Sequence, residues 1–128
     1  MKQGCVALLL AATALIAGCG ANDEAATDLT PAALEGRDVM RSKGCAACHG
    51  SNGGGGVGPT FAGLYRSEVQ LQGGETVIAD GDYLVESIVD PGAKLVEGYS
   101  LPMPRTELTQ AEIDAVITYI QALADVAP

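Results

Sequence analysis

The chain has 128 residues, enough for one domain, and its 16 acidic residues outnumber the 7 basic ones, giving a formal net charge of −9. This acidity excludes a nucleic-acid binder held by phosphate contacts, because such a protein needs a basic face. With one Phe, four Tyr and no Trp, so short a chain has few large side chains to fill a core. The four cysteines suggest at first two disulfides in a small exported protein.

Residues 1–18 have the pattern of an export signal. Lys2 precedes an apolar run from Cys5 to Ala17, and small residues follow. The run is too short for a membrane-spanning helix, which needs ~20 residues. A short membrane anchor or a buried helix is the alternative. Removal of the signal takes away Lys2 and much of the apolar content, so the remaining chain is more acidic and poorer in core residues.

The end of this run, Ile16-Ala17-Gly18-Cys19, resembles a bacterial lipobox. The resemblance implies cleavage before Cys19 and lipidation of its sulfur, and an ordinary cut after Ala21 is the alternative. Residues 19–30 are then the lipidated cysteine and a flexible tether, because they are rich in charge and lack a periodic apolar face. We therefore expect a protein of the cell envelope, outside the cytoplasm, held on a bacterial membrane by lipid.

Cys45-Ala46-Ala47-Cys48-His49 is the C-x-x-C-H pattern of covalent haem attachment. Two thiols at this spacing can add to the two vinyl groups of a haem as thioethers. The imidazole of His49 can then reach the iron from the same side. The motif predicts one covalently bound haem c, which would also supply core volume that the few aromatic residues do not.

Other interpretations of these residues are weaker. A thioredoxin-like redox pair belongs at a strand-to-helix junction of a βαβ unit, and no such pattern is visible. A zinc site needs four ligands, whereas lipidation of Cys19 leaves Cys45, Cys48 and His49. A disulfide between Cys45 and Cys48 remains possible but leaves His49 unexplained.

His49 is the only histidine, so the second axial position of the haem takes another ligand or stays open. Methionine is the usual soft partner. Met40 lies five residues before Cys45, on the helix leading into the motif, and is predicted to be a core residue instead. Met103 lies between two prolines that stiffen its loop and is the candidate ligand, the alternative being an ordinary exposed methionine.

One helix is predicted before a β-hairpin and another directly after it. Thr30 and Pro31 favour a helix start, and the first helix covers 31–43 and ends at Gly44. Gly36 within it indicates close approach of another helix, with Val39 and Met40 on the same face. Another helix covers 81–89, with Asp80 as its cap and Asp90-Pro91 as its end. The segments 69–71 and 76–78 flank a Gly-Gly turn and predict the hairpin.

The last helix has the clearest signals. Thr109 and Glu112 form a capping box, and Leu108 can pack on Ile113 as a hydrophobic staple. A 3.6-residue apolar period follows, with Tyr119 beside it. We expect this face to cross the first helix at Gly36. The apolar stripe consists of Ile113, Val116, Ile117, Ile120 and Ala124.

The glycine-rich stretch 51–58 follows the haem motif. It is not a phosphate-binding loop, because no Gly-Lys-Ser/Thr ends it and no helix begins there. It is predicted to be a flexible loop.

Taken together, motifs spread over roughly residues 32–124 resemble a class I cytochrome c. More narrowly, they resemble the cytochrome c domain at the C-terminus of subunit II of caa-type cytochrome oxidases. The resemblance rests on residues 43–49, on Val57-Gly58-Pro59-Thr60-Phe61-Ala62-Gly63-Leu64-Tyr65, on Asp82-Tyr83-Leu84, on Ser87-Ile88-Val89-Asp90-Pro91, on Gly98-Tyr99 and on Met103-Pro104.

The resemblance implies an all-α cytochrome c fold over residues 31–126, with three to four helices packed around a covalently attached haem and a small hairpin. It implies thioether bonds at Cys45 and Cys48, axial ligands His49 and Met103, and a hydrogen bond from the other ring nitrogen of His49 to the carbonyl of Pro59.

This sequence departs from the family at several points. The dicopper domain and the two transmembrane helices of subunit II are absent from it. Met40 stands where the family usually has an aromatic residue, and Arg66 stands where it often has glycine. Whether Arg66 faces a haem propionate is left open.

The expected function is one-electron transfer in a respiratory chain, without catalysis and without a small-molecule substrate or nucleic acid. The expected partners are an upstream donor and a terminal oxidase, met through a basic docking surface. One alternative is the cytochrome subunit of an exported dehydrogenase or reductase. Another is a haem enzyme or gas sensor with a labile Met103, although no second histidine is present for a peroxidase.

Overall fold

The computed structural model describes residues 29–126. The signal at 1–18, the lipidation at Cys19 and the tether as far as residue 28 lie outside the described residues. Within 29–126, the chain forms four helices and one two-stranded antiparallel hairpin. In chain order these are α1 (Pro31–Ser42), α2 (Ala46–His49), β1 (Glu68–Gln70), β2 (Thr76–Ile78), α3 (Gly81–Val89) and α4 (Gln110–Ala122). The predicted fold class, mostly helical with a small hairpin, is confirmed. No helix of this part of the chain is long and apolar enough to cross a membrane.

Local capping signals set the helix ends. The side chain of Thr30 accepts a hydrogen bond from the N–H of Ala33 (3.2 Å), and Pro31 begins α1. The α1 helix ends one residue earlier than predicted, because Lys43 serves as its C-cap and donates its N–H to the carbonyls of Arg41 and Val39. Asp80 caps α3 through a 2.9 Å bond from the N–H of Tyr83, as expected.

The first and last helices form the main packing interface. A Cβ added to Gly36 would overlap the carbonyl oxygen of Ala115 and lie 2.9 Å from the Cβ of Tyr119. The predicted crossing of the two helices at Gly36 is therefore confirmed, and its closeness requires glycine. Both backbones come close enough that no side chain fits between them at this point.

The buried face of α4 differs from the predicted apolar stripe because it includes Tyr119 and Leu123. Ile113, Val116 and Ile120 are buried as expected, but Tyr119, which was predicted to lie beside the stripe, is only 1% exposed. Leu123, which the stripe did not include, is also buried. The cause is the close approach of α1, which covers the side of α4 that carries Tyr119.

Met40 is fully buried in the core, as predicted. It belongs to one cluster that draws on both long helices, on the hairpin region and on α3. The buried members of this cluster are Met40, Phe61, Val69, Leu71, Ala79, Tyr83, Leu84, Val116, Tyr119, Ile120 and Leu123. The resembled family usually has an aromatic residue at this position, and here the flexible side chain of Met40 fills the space instead.

The hairpin pairs Val69 with Val77, and β1 begins one residue earlier than predicted. Leu71 instead forms an isolated antiparallel bridge with Val96. On either side of Leu71, the N–H of Gln72 donates to Leu95 (2.8 Å), and the carbonyl of Gln70 accepts from Glu97 (2.9 Å). The hairpin therefore fixes residues 95–97, which lead toward the loop of Met103.

Arg66 has a φ of 66°, and it is the one non-glycine residue with positive φ among residues 29–126. This conformation explains why glycine suits the position. The guanidinium lies over the ring of Tyr65, 5.4 Å from its centroid.

Candidate haem site

The haem motif begins directly after α1. Gly44 has a φ of 83°, which turns the chain at the end of the helix. The N–H of Cys45 then bonds to Met40 (3.0 Å) and that of His49 to Cys45 (3.0 Å). In the resulting helical turn, Cys48 and His49 lie three and four residues after Cys45. These three side chains therefore share one face.

Cys45 and Cys48 are free thiols, each half-buried. The structure therefore does not contain the disulfide that the sequence left possible. Burial raises the pKa of the Cys45 thiol, and the neighbouring Cys48 raises it further, although a backbone hydrogen bond acts in the opposite direction. The motif follows α1 and itself forms α2, and the one sheet among the described residues is antiparallel, so the surroundings are not those of a thioredoxin-like pair.

The ring of His49 is held by residues 58–61. Its Nδ1 atom lies 2.8 Å from the carbonyl oxygen of Pro59. The ring of Phe61 stacks on it, with centroids 4.6 Å apart and planes 24° from parallel. A Cβ added to Gly58 would come within 3.0 Å of the imidazole. Three successive constraints thus fix the ring orientation, and His49 is only 9% exposed.

These contacts also determine the protonation of the imidazole. The Pro59 oxygen can only accept, so Nδ1 carries the proton and Nε2 keeps its lone pair. Burial lowers the pKa of His49, an effect that the hydrogen bond to Pro59 partly opposes. The ring is therefore a neutral donor to a metal, oriented by its second nitrogen.

The glycine-rich loop 51–58 folds back on the motif. The N–H of Gly55 donates to the carbonyl of His49 (2.8 Å), and the N–H of Gly58 donates to that of Cys48 (2.9 Å). Gly53, Gly55 and Gly56 all have positive φ, which explains the composition of the loop. Its role is to bring residues 58–61 against the ring of His49.

A cavity of about 770 Å³ adjoins the motif, within the size range of pockets that bind small molecules and cofactors. Cys45, Cys48, His49 and Met103 all line it. Met40 and Arg66 do not. Much of the remaining lining is apolar, including Val69, Leu84, Ile88, Leu95, Val116 and Ile120.

The donor set and the cavity fit a c-type haem. Two thiols suit thioether formation, a neutral imidazole and a thioether sulfur are the axial pair of electron-transfer cytochromes, and the apolar lining suits a porphyrin. Position 66, which the sequence left open as a propionate partner, is outside the cavity lining because its side chain stacks on Tyr65.

Comparison with known proteins agrees with this geometry. A model of the cytochrome c family, described as "Cytochrome c", matches residues 33–124. The chain belongs to the cytochrome c family. Cytochromes c bind haem c covalently, so this cytochrome is a monohaem c-type electron carrier. No protein in a search of curated proteins matches the chain.

Sequence reasoning missed two ion pairs that support the site of this cytochrome. The ammonium of Lys43, two residues before Cys45, lies 2.8 Å from the carboxylate of Glu112. The guanidinium of Arg105, two residues after Met103, lies 2.8 Å from the carboxylate of Asp90. The available signal was a basic residue two positions from Cys45 and another two positions from Met103. Their acidic partners are distant in sequence, and no local pattern identifies them.

Proposed function

We propose that this cytochrome c is lipid-anchored to a bacterial membrane and carries single electrons in a respiratory chain to a terminal oxidase. The observation that carries the proposal is the convergence of Cys45, Cys48, His49 and Met103 on one largely apolar cavity. Two axial donors on that cavity support electron transfer, because catalysis or gas sensing needs an open iron position with polar groups beside it.

Within this proposal each residue has one task. Cys45 and Cys48 would hold the haem through thioether bonds, and Nε2 of His49 and the Sδ atom of Met103 would ligate its iron. The bound haem supplies a reversible one-electron change at its iron. The Pro59 carbonyl strengthens His49 as a donor. A methionine ligand and an apolar lining both favour the ferrous state and raise the reduction potential.

Absorption spectroscopy of the purified holoprotein tests the ligand set. We expect a c-type spectrum with the ferric charge-transfer band of methionine ligation, and slow or no binding of carbon monoxide to the reduced protein. Met103→Ala should abolish the band and open the site, whereas the matched substitution Met40→Leu should leave both unchanged. Rapid carbon monoxide binding by the wild type would instead support the gas-sensor or haem-enzyme alternative.

The partner proposal rests on charge. A chain with a net charge of −9 favours a basic docking surface, and the rate of encounter should then fall as salt increases. We expect membranes containing the terminal oxidase to oxidise the reduced protein in an oxygen-dependent reaction that salt slows. If such membranes leave it reduced while an exported dehydrogenase with its substrate reduces it rapidly, the dehydrogenase-subunit alternative is correct.

The membrane proposal rests on the lipobox-like residues around Cys19, which lie outside the described part of the chain. A lipid anchor would hold the protein near membrane-bound partners and so raise their effective concentration. We expect Cys19→Ala to release the full-length protein into the soluble envelope fraction, with Cys5→Ala as the matched control. Continued membrane association of Cys19→Ala would argue instead for a retained helix or a protein partner.

A further inference from the structure

The loop that carries Met103, residues 100–108, has very few polar connections. Among residues 29–126, the one hydrogen bond that joins this Met103 loop to the rest of the chain runs from Arg105 to Asp90 (2.8 Å). Pro102 and Pro104 have no backbone N–H to donate. The preceding residue, Tyr99, is held separately by Gln72, which donates to its carbonyl (3.0 Å).

A second ion pair on α3 offers a direct comparison. Glu86, one turn before Asp90, pairs with Lys94. The segment around Lys94 has other connections, however, because Leu95 and Glu97 form backbone hydrogen bonds with the hairpin region and Val96 bridges to Leu71. Loss of the Glu86 pair therefore leaves its segment in place. Loss of the Asp90 pair removes the only polar connection that the Met103 loop makes within residues 29–126.

Neither Arg105 nor Asp90 lines the cavity, although Pro104 and Thr106 on either side of Arg105 do. The guanidinium is two-thirds exposed and reaches the end of α3, where Asp90 is the C-cap residue. The pair thus acts on the site only through the backbone that carries Met103.

We propose that the Asp90–Arg105 ion pair is the positioning device that keeps the Met103 loop closed over the haem iron, and so sets how readily another ligand replaces Met103. The inference rests on the proposed role of Met103 as axial ligand. Closed and open loop positions are in equilibrium, and the apparent affinity of an external ligand scales with the open fraction.

Imidazole binding to the ferric holoprotein measures this open fraction without any redox partner. An exposed ion pair contributes ~0.2–1 kcal/mol, so Asp90→Asn and Arg105→Gln should each tighten imidazole binding by about 1.4- to fivefold. Glu86→Gln removes the same charge from the same helix and should leave the affinity unchanged. The double variant Asp90→Asn/Arg105→Gln should match the single variants, because each of them already removes the pair.

Salt gives an independent readout. High salt screens an exposed pair, so the wild type should approach the imidazole affinity of Arg105→Gln, which should itself change little. Equal affinities in wild type, Asp90→Asn and Arg105→Gln would overturn the inference, as would an equal effect of Glu86→Gln. Failure of this inference can be distinguished from failure of the proposed ligand set. If Met103 were not a ligand, Met103→Ala would have the same ferric spectrum as the wild type.

Discussion

Glu112 and Lys43 join the start of α4 to the end of α1, with their charged groups 2.8 Å apart. The carboxylate of Glu112 also accepts from the N–H (2.8 Å) and the hydroxyl (3.1 Å) of Thr109, which completes the capping box. The side chain of Glu112 therefore caps α4 and also binds Lys43, which lies just before the turn into Cys45. Because it links the two helices that form the main packing interface, its ionisation is coupled to folding.

We expect the stabilisation from Glu112 to disappear in acid. The hydrogen bond from Lys43, followed by that from Thr109, lowers the pKa of Glu112 in the folded protein. A carboxyl whose pKa is lowered by folding stabilises the protein above its unfolded-state pKa, ~4.3, and this stabilisation is lost as the pH falls through the folded value.

Urea unfolding of Glu112→Gln at several pH values checks this expectation. Glutamine can still serve in a capping box, so the substitution isolates the charge. The midpoint of the variant should lie below that of the wild type at pH 7, and the two should converge in acid. Glu107→Gln, at an exposed position, should follow the wild type throughout. A difference that persists unchanged in acid would contradict the role of the charge.

Gly36→Ala should destabilise the protein by about 1–3 kcal/mol, even though alanine is the better helix former. The added Cβ would overlap the backbone carbonyl of Ala115, and backbone cannot move aside without separating α1 from α4. Gly81→Ala is the matched control, since a Cβ there would meet nothing within 4 Å. Chemical denaturation of both variants gives the comparison, and equal midpoints would show that the helices can separate at little cost.

At position 66, glycine should be more stable than alanine by about 0.5–1 kcal/mol. Both substitutions remove the guanidinium from the Tyr65 ring, so their difference isolates the cost of a Cβ at a φ of 66°. At Glu35, an exposed position in α1, alanine should instead be the more stable of the two. Unfolding free energies of the four variants test this reversal, and the same order at both positions would rule out backbone strain at Arg66.

Met40→Ala should lower the unfolding free energy by about 2–5 kcal/mol, because it leaves a cavity where a fully buried side chain stood. Met40→Leu conserves volume and should cost less than about 1.5 kcal/mol. Neither should alter the ferric spectrum below its unfolding transition, since Met40 does not line the cavity. Loss of the methionine charge-transfer band in either folded variant would mean that Met40 influences the iron.

The sequence predicted the features of this fold that short segments determine. Thr30-Pro31, Asp80 and the Thr109–Glu112 box each act within four residues, and the structure places helix starts at all three. Gly36 predicted a close helix–helix contact, because a glycine inside a helix lowers its stability and close packing must offset that loss. The haem motif was also recognisable from a short segment, since its two cysteines and its histidine lie within five residues of the chain.

Features that depend on distant partners were less accessible. The burial of Tyr119 depends on which side α1 approaches, and the apolar period of α4 alone does not specify that side. The pairing of Asp90 with Arg105 depends on the path of the intervening loop. The positive φ of Arg66 was likewise not predicted, because arginine itself gives no sign of a left-handed backbone, and the only signal was the glycine that the resembled family often has at this position.

The contact of residues 95–97 with the hairpin has a consequence for behaviour at high protein concentration. Gln70 and Gln72 direct their backbone hydrogen bonds to this segment, while Leu71 bonds to Glu75 on the other side. At this end of the hairpin, β1 is thus bonded on both sides, to the β2 side of the hairpin and to residues 95–97. A second copy of the chain therefore finds no template for strand addition on the outer side of β1, and a high protein concentration would not promote β-aggregation through that side.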